Sequence, residues 1–254
     1  MAAPKQKDKP KSIEFYGGYE VYSESGVDLT LLRGNLRRSV EERLANNSRA
    51  AVGALALWQS NPHRHLLKSS LHSITRVPDA SDLLKLLLSH KVQFVLIGGQ
   101  AMVALDSAYV TFDTDICYER TPENLAALVA ALAPIHPSQR GAPTDRPFDF
   151  NVPKLAAGDS FSLHTDQGEI DLFGEVSGIG DYDQVLAQSV EKTVHGMTIR
   201  ILSVEGLIAT KKATARHHDQ LHLLELLELK KILDAAKPVQ ETKGEQSTKG
   251  DSPE

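Results

Sequence analysis

Two aspartates separated by a single residue, Asp113 and Asp115, form the pair with the clearest chemical potential in the sequence. In an extended strand, residues two apart point to the same face, so these carboxylates would project side by side. Two such charges repel, and burial would either raise a pKa or demand a cation. A hard divalent ion with oxygen ligands, above all Mg²⁺, would satisfy them. An exposed acid pair at a loop end is the alternative, and the pair alone leaves both open.

A third aspartate, Asp171, lies in the apolar segment EIDLF. Aspartate is disfavoured within strands, so its presence there needs a reason. If this strand pairs beside the one that carries Asp113 and Asp115, Asp171 completes a metal site of three carboxylates. Alternation also permits the opposite arrangement, in which Asp171 faces solvent while Ile170 and Leu172 face the core.

A pair of glycines, Gly98 and Gly99, follows the apolar run VQFVLI and precedes a predicted helix over 100–105. Glycine allows a tight turn and leaves space above the backbone, and the start of a helix offers unpaired N–H groups. Such a turn can hold phosphate oxygens. Two glycines after a strand also occur simply as a turn.

Strands and helices that could position these residues are predicted across the middle of the chain. The apolar run VQFVLI has the length of a strand and is bounded by turn residues, which indicates a strand buried on both faces. Two pairs of strand-like segments, each joined by a turn that contains glycine, indicate hairpins. The predicted strands cover 92–97, 115–119, 160–165, 169–173, 192–195 and 197–202, and the predicted helices cover 82–90, 100–105, 122–133, 203–215 and 221–235. We therefore expect an α/β (α+β) fold with a small mixed sheet of about five strands flanked by helices.

The chain divides by composition into five parts. Polar and charged residues dominate both ends, which predicts disordered tails. A broken helical pattern, with Ser39 opening its second helix, predicts a helical segment before the α/β domain. The expected boundaries are 1–26 for the first tail, 27–58 for the helical segment, 59–80 for a linker, 81–236 for the α/β domain and 237–254 for the last tail.

Charge and cysteine content narrow the function classes. The 254 residues include 28 basic and 33 acidic side chains, a formal net charge of −5, so any nucleic-acid groove must be local. Cys117 is the only cysteine, which excludes a disulfide within the chain and suits a reducing compartment. No long apolar run and no secretory pattern are present, so we expect a cytoplasmic protein without a membrane span. Cys117 has no evident base partner and is interpreted as a packing residue.

The order of these features resembles a known superfamily. A strand that ends in Gly98 and Gly99, then thirteen residues, then Asp-x-Asp, then the distant Asp171, is similar to the nucleotidyltransferase superfamily related to DNA polymerase β. The similarity to minimal bacterial members, including the AbiEii-like toxins of toxin–antitoxin systems, is carried by FVLIGGQAMVALDSAYVTFDTDICYERTPENL. The segment LSVEGLIATKKATARHHDQLHLLEL also resembles that group, and the whole resemblance covers about residues 80–235. Gly99 departs from the Gly-Ser of many members, and Thr114 from the apolar residue usual at its position.

The resemblance implies a catalytic role for each carboxylate. Asp113 and Asp115 would bind one or two Mg²⁺ ions that bridge the triphosphate of an NTP. Asp171 would share the second ion and help deprotonate the attacking hydroxyl.

It also implies a set of nucleotide ligands. Gly98, Gly99 and Gln100 would contact the β- and γ-phosphates at the helix start. Lys211 would reach the leaving pyrophosphate, with Lys212 as the less favoured candidate. Arg216 would bind phosphate or stack on a base, although it could instead pair with Asp219, three residues away on a helix.

The implied activity is Mg²⁺-dependent transfer of a nucleoside monophosphate from an NTP, ATP among the candidates, to an acceptor hydroxyl. The acceptor would be an RNA 3′ end, tRNA included, or a protein side chain, within a bacterial toxin–antitoxin system. The alternative is a non-catalytic module that binds a nucleotide or a partner protein of such a pair. The sequence does not identify the base of the NTP.

Overall fold

The computed structural model describes residues 20–60, 80–107, 109–141, 148–215 and 219–236. The helices are α1 (Leu29–Asn35), α2 (Val40–Ser60), α3 (Ala80–Ser89), α4 (Gly98–Ala104), α5 (Pro122–Leu132), α6 (Val152–Ala157), α7 (Tyr182–Ala187), α8 (Val204–Thr214) and α9 (Asp219–Ala236). The strands are β1 (Phe94–Ile97), β2 (Asp113–Tyr118), β3 (Ser138–Gln139), β4 (Ser160–Thr165), β5 (Gly168–Phe173), β6 (Glu175–Val176), β7 (Gly180–Asp181), β8 (Ser189–Val194) and β9 (Met197–Leu202).

Seven strands form one mixed sheet in the order β3-β4-β5-β2-β1-β9-β8, and β6 pairs with β7 separately. The β2–β5 and β1–β9 pairs are parallel, whereas β1–β2, β3–β4, β4–β5 and β8–β9 are antiparallel. This arrangement confirms the predicted α/β fold with a mixed sheet and helices around it. The sheet exceeds the expected five strands partly because β3 consists of two exposed polar residues, which no hydrophobic pattern marks.

The central strand β1 is buried at all four positions, as predicted for a strand covered on both faces. Helices α4 and α7 both contact β1 and β2. The predicted helix after the glycines begins earlier than expected, because Gly98 and Gly99 form its first turn. Strand β2 likewise begins at Asp113, two residues before the predicted start, so both aspartates of the pair belong to the strand.

Side-chain caps define the starts of several helices. Thr121 accepts a hydrogen bond from the backbone N–H of Asn124 and Pro122 occupies the first position of α5. Ser203 caps α8 in the same way. Asp181 caps α7 in a capping box with Gln184, so the second Asp-x-Asp pair of the sequence serves a helix start.

The N-terminal helical segment packs on the sheet domain. The expected segment 27–58 contains α1 and α2, and Ser39 caps α2 by accepting from the N–H of Glu42 at 3.2 Å. Helix α2 contacts α3, α4 and β8, and its Val40 and Leu44 belong to the same hydrophobic core as the sheet. Most of the predicted tails and linker, at 1–19, 61–79 and 237–254, lies outside the described residues. No helix in the described part of the chain is long and apolar enough to cross a bilayer.

The shared core predicts that α2 is required for the stability of the whole domain. Leu44 is fully buried, so Leu44→Ala should lower the free energy of unfolding by about 3 kcal/mol through lost burial and a residual cavity. Leu57 lies on the same helix with 75% of its surface exposed, so Leu57→Ala should change stability little. Urea unfolding of both variants checks this, and a small effect of Leu44→Ala would contradict the part given to this residue in the shared core.

Candidate metal and nucleotide site

The structure brings Asp113, Asp115 and Asp171 together at the junction of β2 and β5. These strands run parallel, and Asp115 lies directly opposite Asp171 in the register. One carboxylate oxygen from each of the three residues lies within 4.8 Å of the others. The geometry therefore selects the alternative in which Asp171 joins the pair, and it provides three oxygen ligands for one cation.

The glycine turn lies against this cluster. Gly98 has a φ angle of +60°, and a Cβ atom there would overlap the carboxylate of Asp115. The N–H of Gly99 donates to Oδ2 of Asp115 at 3.4 Å, and a Cβ atom on Gly99 would collide with Thr111. Both positions therefore need glycine, because the carboxylate and Thr111 occupy the space that a side chain would take.

Burial and nearby negative charge raise the pKa of Asp115 and of Asp171. The pKa of Asp115 rises to about 8, mainly through burial and then through the charges of Asp113 and Asp171, while the N–H of Gly99 and the charge of Lys211 act in the opposite direction. Burial also raises the pKa of Asp171, against the effect of Arg140. The protein alone thus compensates these acids incompletely, which is the setting in which a bound cation is most favourable.

Arg140 and Glu169 are parts of the site that the sequence analysis missed. The guanidinium of Arg140 donates to Glu169 at 2.6 Å and to Asp171, and it lies 3.9 Å from Oδ2 of Asp113. Burial alone would lower the pKa of Arg140, but Asp171 and Glu169 outweigh it and raise the pKa. Glu169 could have been found from alternation, since it lies two residues before Asp171 on the same strand. Arg140 follows a two-residue strand and carries no sequence signal.

The predicted lysine, Lys211, lines the same cleft as the aspartates. Lys211 in α8 forms an ion pair with Asp219 in α9, with 2.7 Å between Nζ and Oδ1, and Thr214 donates to the other oxygen of Asp219 at 2.8 Å. Lys211 lines the cleft, whereas Lys212 is exposed and lies outside its lining. Arg216, the remaining predicted cation, lies outside the described residues.

Two other residues do not face the cleft. The side chain of Gln100 is 1% exposed and does not line the cleft, and its Oε1 atom has no hydrogen-bond partner among the described residues. Cys117 shares its strand with Asp115 but is fully buried in the core, and burial raises the pKa of its thiol to about 12. The thiol is therefore held in its unreactive form, as expected of a packing residue.

The acids open into a cleft of about 520 Å³, a size typical of small-molecule sites. The rings of Tyr109 and His222 meet edge to face on its wall, with centroids 4.2 Å apart. The remaining wall is formed by side chains of α8 and by the chain that follows β5. The lining comprises Ile97, Gly98, Gly99, Tyr109, Thr111, Asp113, Asp115, Arg140, Ser162, Asp171, Phe173, Glu175, Val176, Ser177, Leu202, Leu207, Thr210, Lys211, Thr214, Asp219 and His222.

The similarity of this chain to known proteins is weak. No family model matches the sequence, and no curated protein matches it significantly. Among solved structures, the chain is similar to the lincosamide antibiotic adenylyltransferase LnuA in its lincomycin-bound form, with 14% identity and a TM-score of 0.41 over 59% of this chain and 95% of that chain. A likeness at this level assigns neither a family nor an activity, and the AbiEii-like subgroup is not confirmed.

The glycine turn makes a first prediction for the site. Gly98→Ala should destabilise the protein and weaken divalent-ion binding, because the new Cβ atom forces the Asp115 carboxylate away and the φ angle disfavours alanine. Gly53→Ala is the matched control, because Gly53 lies inside α2 with nothing within 4 Å of a new Cβ atom. Thermal melting with and without Mg²⁺ measures both effects. Equal behaviour of the two variants would contradict the role given to Gly98.

The raised pKa of Asp115 makes a second prediction. Between about pH 4 and pH 8 the folded protein holds a proton on Asp115 that the unfolded chain has lost, so without metal the free energy of unfolding falls as pH rises through this window. Asp115→Asn cannot titrate, and its unfolding free energy should fall less over the same range. Urea unfolding from pH 5 to pH 8 in the presence of a chelator compares the two slopes. Identical slopes would show that Asp115 is ionised throughout.

Proposed function

We propose that this protein is a Mg²⁺-dependent nucleotidyltransferase, which moves a nucleoside monophosphate from an NTP to an acceptor hydroxyl. The observation that carries the proposal is the convergence of three aspartates from two parallel strands beside a glycine turn, with a lysine lining the same cleft. Sites of this kind clamp the attacking and leaving oxygens of an in-line displacement at phosphorus.

The donor set fits Mg²⁺. All three ligand groups are carboxylates, which hard divalent cations prefer over nitrogen or sulfur ligands. The oxygens within 4.8 Å of one another can face one ion, whose charge would offset the burial and mutual repulsion that raise the pKa of Asp115. When bound, the ion would neutralise charge on the triphosphate and on the leaving oxygen.

The aspartates divide into two roles. Asp113 and Asp115 lie two residues apart on β2 and would hold the ion beside the glycine turn. Asp171, on the neighbouring strand, would be the third ligand group, and it would also orient the acceptor hydroxyl and take its proton as the new O–P bond forms. The bond between the α-phosphorus and the pyrophosphate oxygen breaks in the same step, and pyrophosphate leaves.

The nucleotide would lie between the glycine turn and α8. Gly98 and Gly99 line the cleft beside Asp115 and are our proposed contacts for the β- and γ-phosphates. Their lack of side chains leaves room for the Asp115 carboxylate and Thr111 beside that contact. Because the side chain of Gln100 is buried, only its backbone can contribute to this contact. Lys211, held by Asp219, faces the cleft as the ligand for pyrophosphate, and Arg216 remains our proposed second cation.

The acceptor classes follow from the resemblance noted in the sequence. They are an RNA 3′ end, tRNA included, and a hydroxyl side chain of a partner protein. A place in a toxin–antitoxin pair would explain either acceptor.

Transfer should depend on each aspartate of the cluster. Incubation with Mg²⁺ and labelled ATP, CTP, GTP or UTP, together with total RNA and cell protein, should label one pool and release pyrophosphate. Asp113→Asn should abolish labelling, and Asp171→Asn should reduce it about a hundredfold or more through loss of the base. Asp183→Asn is the matched control, because Asp183 belongs to the second Asp-x-Asp pair and is exposed outside the cleft.

Two outcomes would contradict the activity. Equal labelling by Asp113→Asn and the unchanged protein would remove the metal site from the reaction. Stabilisation by an NTP with Mg²⁺, but no pyrophosphate from any donor with either acceptor pool, would instead indicate a nucleotide-binding module.

A further inference from the structure

A buried asparagine of the N-terminal helix α2 holds the backbone just before the metal strand. Nδ2 of Asn47 donates to the carbonyl oxygen of Thr111 at 3.0 Å, and the N–H of Thr111 donates to Oδ1 of Asn47 at 2.9 Å. Both residues are buried, with 6% and 4% of their surfaces exposed. One side chain thus satisfies both polar groups of the Thr111 backbone, as a neighbouring strand would.

The hydrogen bonds from Asn47 take the place of a neighbouring strand at Thr111. Thr111 precedes β2, whose ladder with β5 begins at Asp113. The buried residues of α2 are Val40, Leu44, Asn47, Ala51 and Leu55, which form one helix face. Asn47 occupies the middle of this otherwise apolar face, where an aliphatic side chain would be expected if α2 only covered the core.

The side chain of Thr111 continues the connection to the aspartate cluster. Its hydroxyl donates to Oδ1 of Asp113 at 2.8 Å. A Cβ atom on Gly99 would lie 2.6 Å from the same hydroxyl, so Thr111 also lies against the glycine turn. Fixing the Thr111 backbone therefore fixes one oxygen of Asp113 and leaves Oδ2 available to a cation.

We propose that Asn47 is a positioning residue for the metal site: it fixes Thr111 so that the threonine hydroxyl orients the carboxylate of Asp113. This gives the N-terminal helix a direct part in the site, in addition to its share of the core. The inference rests on the proposed function only in that the cluster binds a divalent cation. Without the hydrogen bonds from Asn47 to the Thr111 backbone, the Thr111 hydroxyl no longer holds Oδ1 of Asp113, and the carboxylate can rotate out of the ligand geometry.

The direct test is metal affinity of the full chain, measured by calorimetry with Mn²⁺ as the probe for the Mg²⁺ site. Asn47→Ala and Thr111→Val should each weaken binding about tenfold, the range typical for groups that orient metal ligands. Thr111→Ser keeps the hydroxyl and should retain the affinity. Because both losses act through one connection, the double variant Asn47→Ala with Thr111→Val should be little weaker than either single variant.

Two controls separate positioning from general loosening. Asn46→Ala removes the neighbouring asparagine, which bonds only to the exposed Arg49 among the described contacts. Leu55→Ala creates a cavity on the same buried face of α2, eight residues beyond Asn47. Both should keep the Mn²⁺ affinity of the unchanged protein when measured below the lowest melting temperature of the set.

The outcomes are distinct. Unchanged affinity in a folded Asn47→Ala protein, or an equal loss in Leu55→Ala, would overturn the positioning role. If Asn47→Ala does not fold, Thr111→Val against Thr111→Ser decides the same question. Normal Mn²⁺ binding with the expected variant series, but no nucleotide transfer, would remove the proposed activity and leave the positioning role supported. Absence of Mn²⁺ binding in the unchanged protein would overturn both.

Discussion

Repulsion among three carboxylates at the β2–β5 junction is the constraint on which the site depends. Burial of the Asp115 carboxylate, and next the charges of Asp113 and Asp171 within 4.8 Å, disfavour its ionised form and raise its pKa. Several features oppose it: the N–H of Gly99, the hydroxyl of Thr111 and the guanidinium of Arg140. The parallel register matters equally, because a slip by one residue would turn the aspartates of one strand to the opposite face. A bound cation would offset the repulsion among the carboxylates and so stabilise this arrangement.

The local parts of the site could be predicted from the sequence, and the non-local parts could not. Asp113 and Asp115 share a face because the period of a strand is two, and the turn after β1 follows from two glycines. Asp171 required knowledge of strand order, since alternation permits either face, and β2 and β5 are joined only through long-range pairing. Arg140 reaches the cluster from a two-residue strand whose existence depends entirely on its neighbour β4.

Helix rotation explains which neighbouring polar residues reach the cleft. Lys211 lies four residues after the buried Leu207 on α8, so it shares the inward side of the helix, and the adjacent Lys212 turns away by about 100°. Gln100 lies in a helix whose next four residues are all buried, which places its side chain in the interior rather than in the cleft. The helical period alone could have distinguished Lys211 from Lys212. The burial of Gln100 could not be predicted in this way, because it depends on the packing of β1, β2 and α2 around α4.

The N-terminal helices show why a weak hydrophobic pattern need not indicate an accessory segment. Helix α2 has too few apolar residues to form a core of its own. Its buried face instead completes the core beside α4. An asparagine within that face contributes less to burial than leucine would, but it supplies a donor and an acceptor in fixed positions. A buried polar group of this kind adds specificity rather than stability, since only one placement of the Thr111 backbone satisfies it. The helix thereby sets the position of the strand that carries Asp113, and the site and the N-terminal segment form one structural unit.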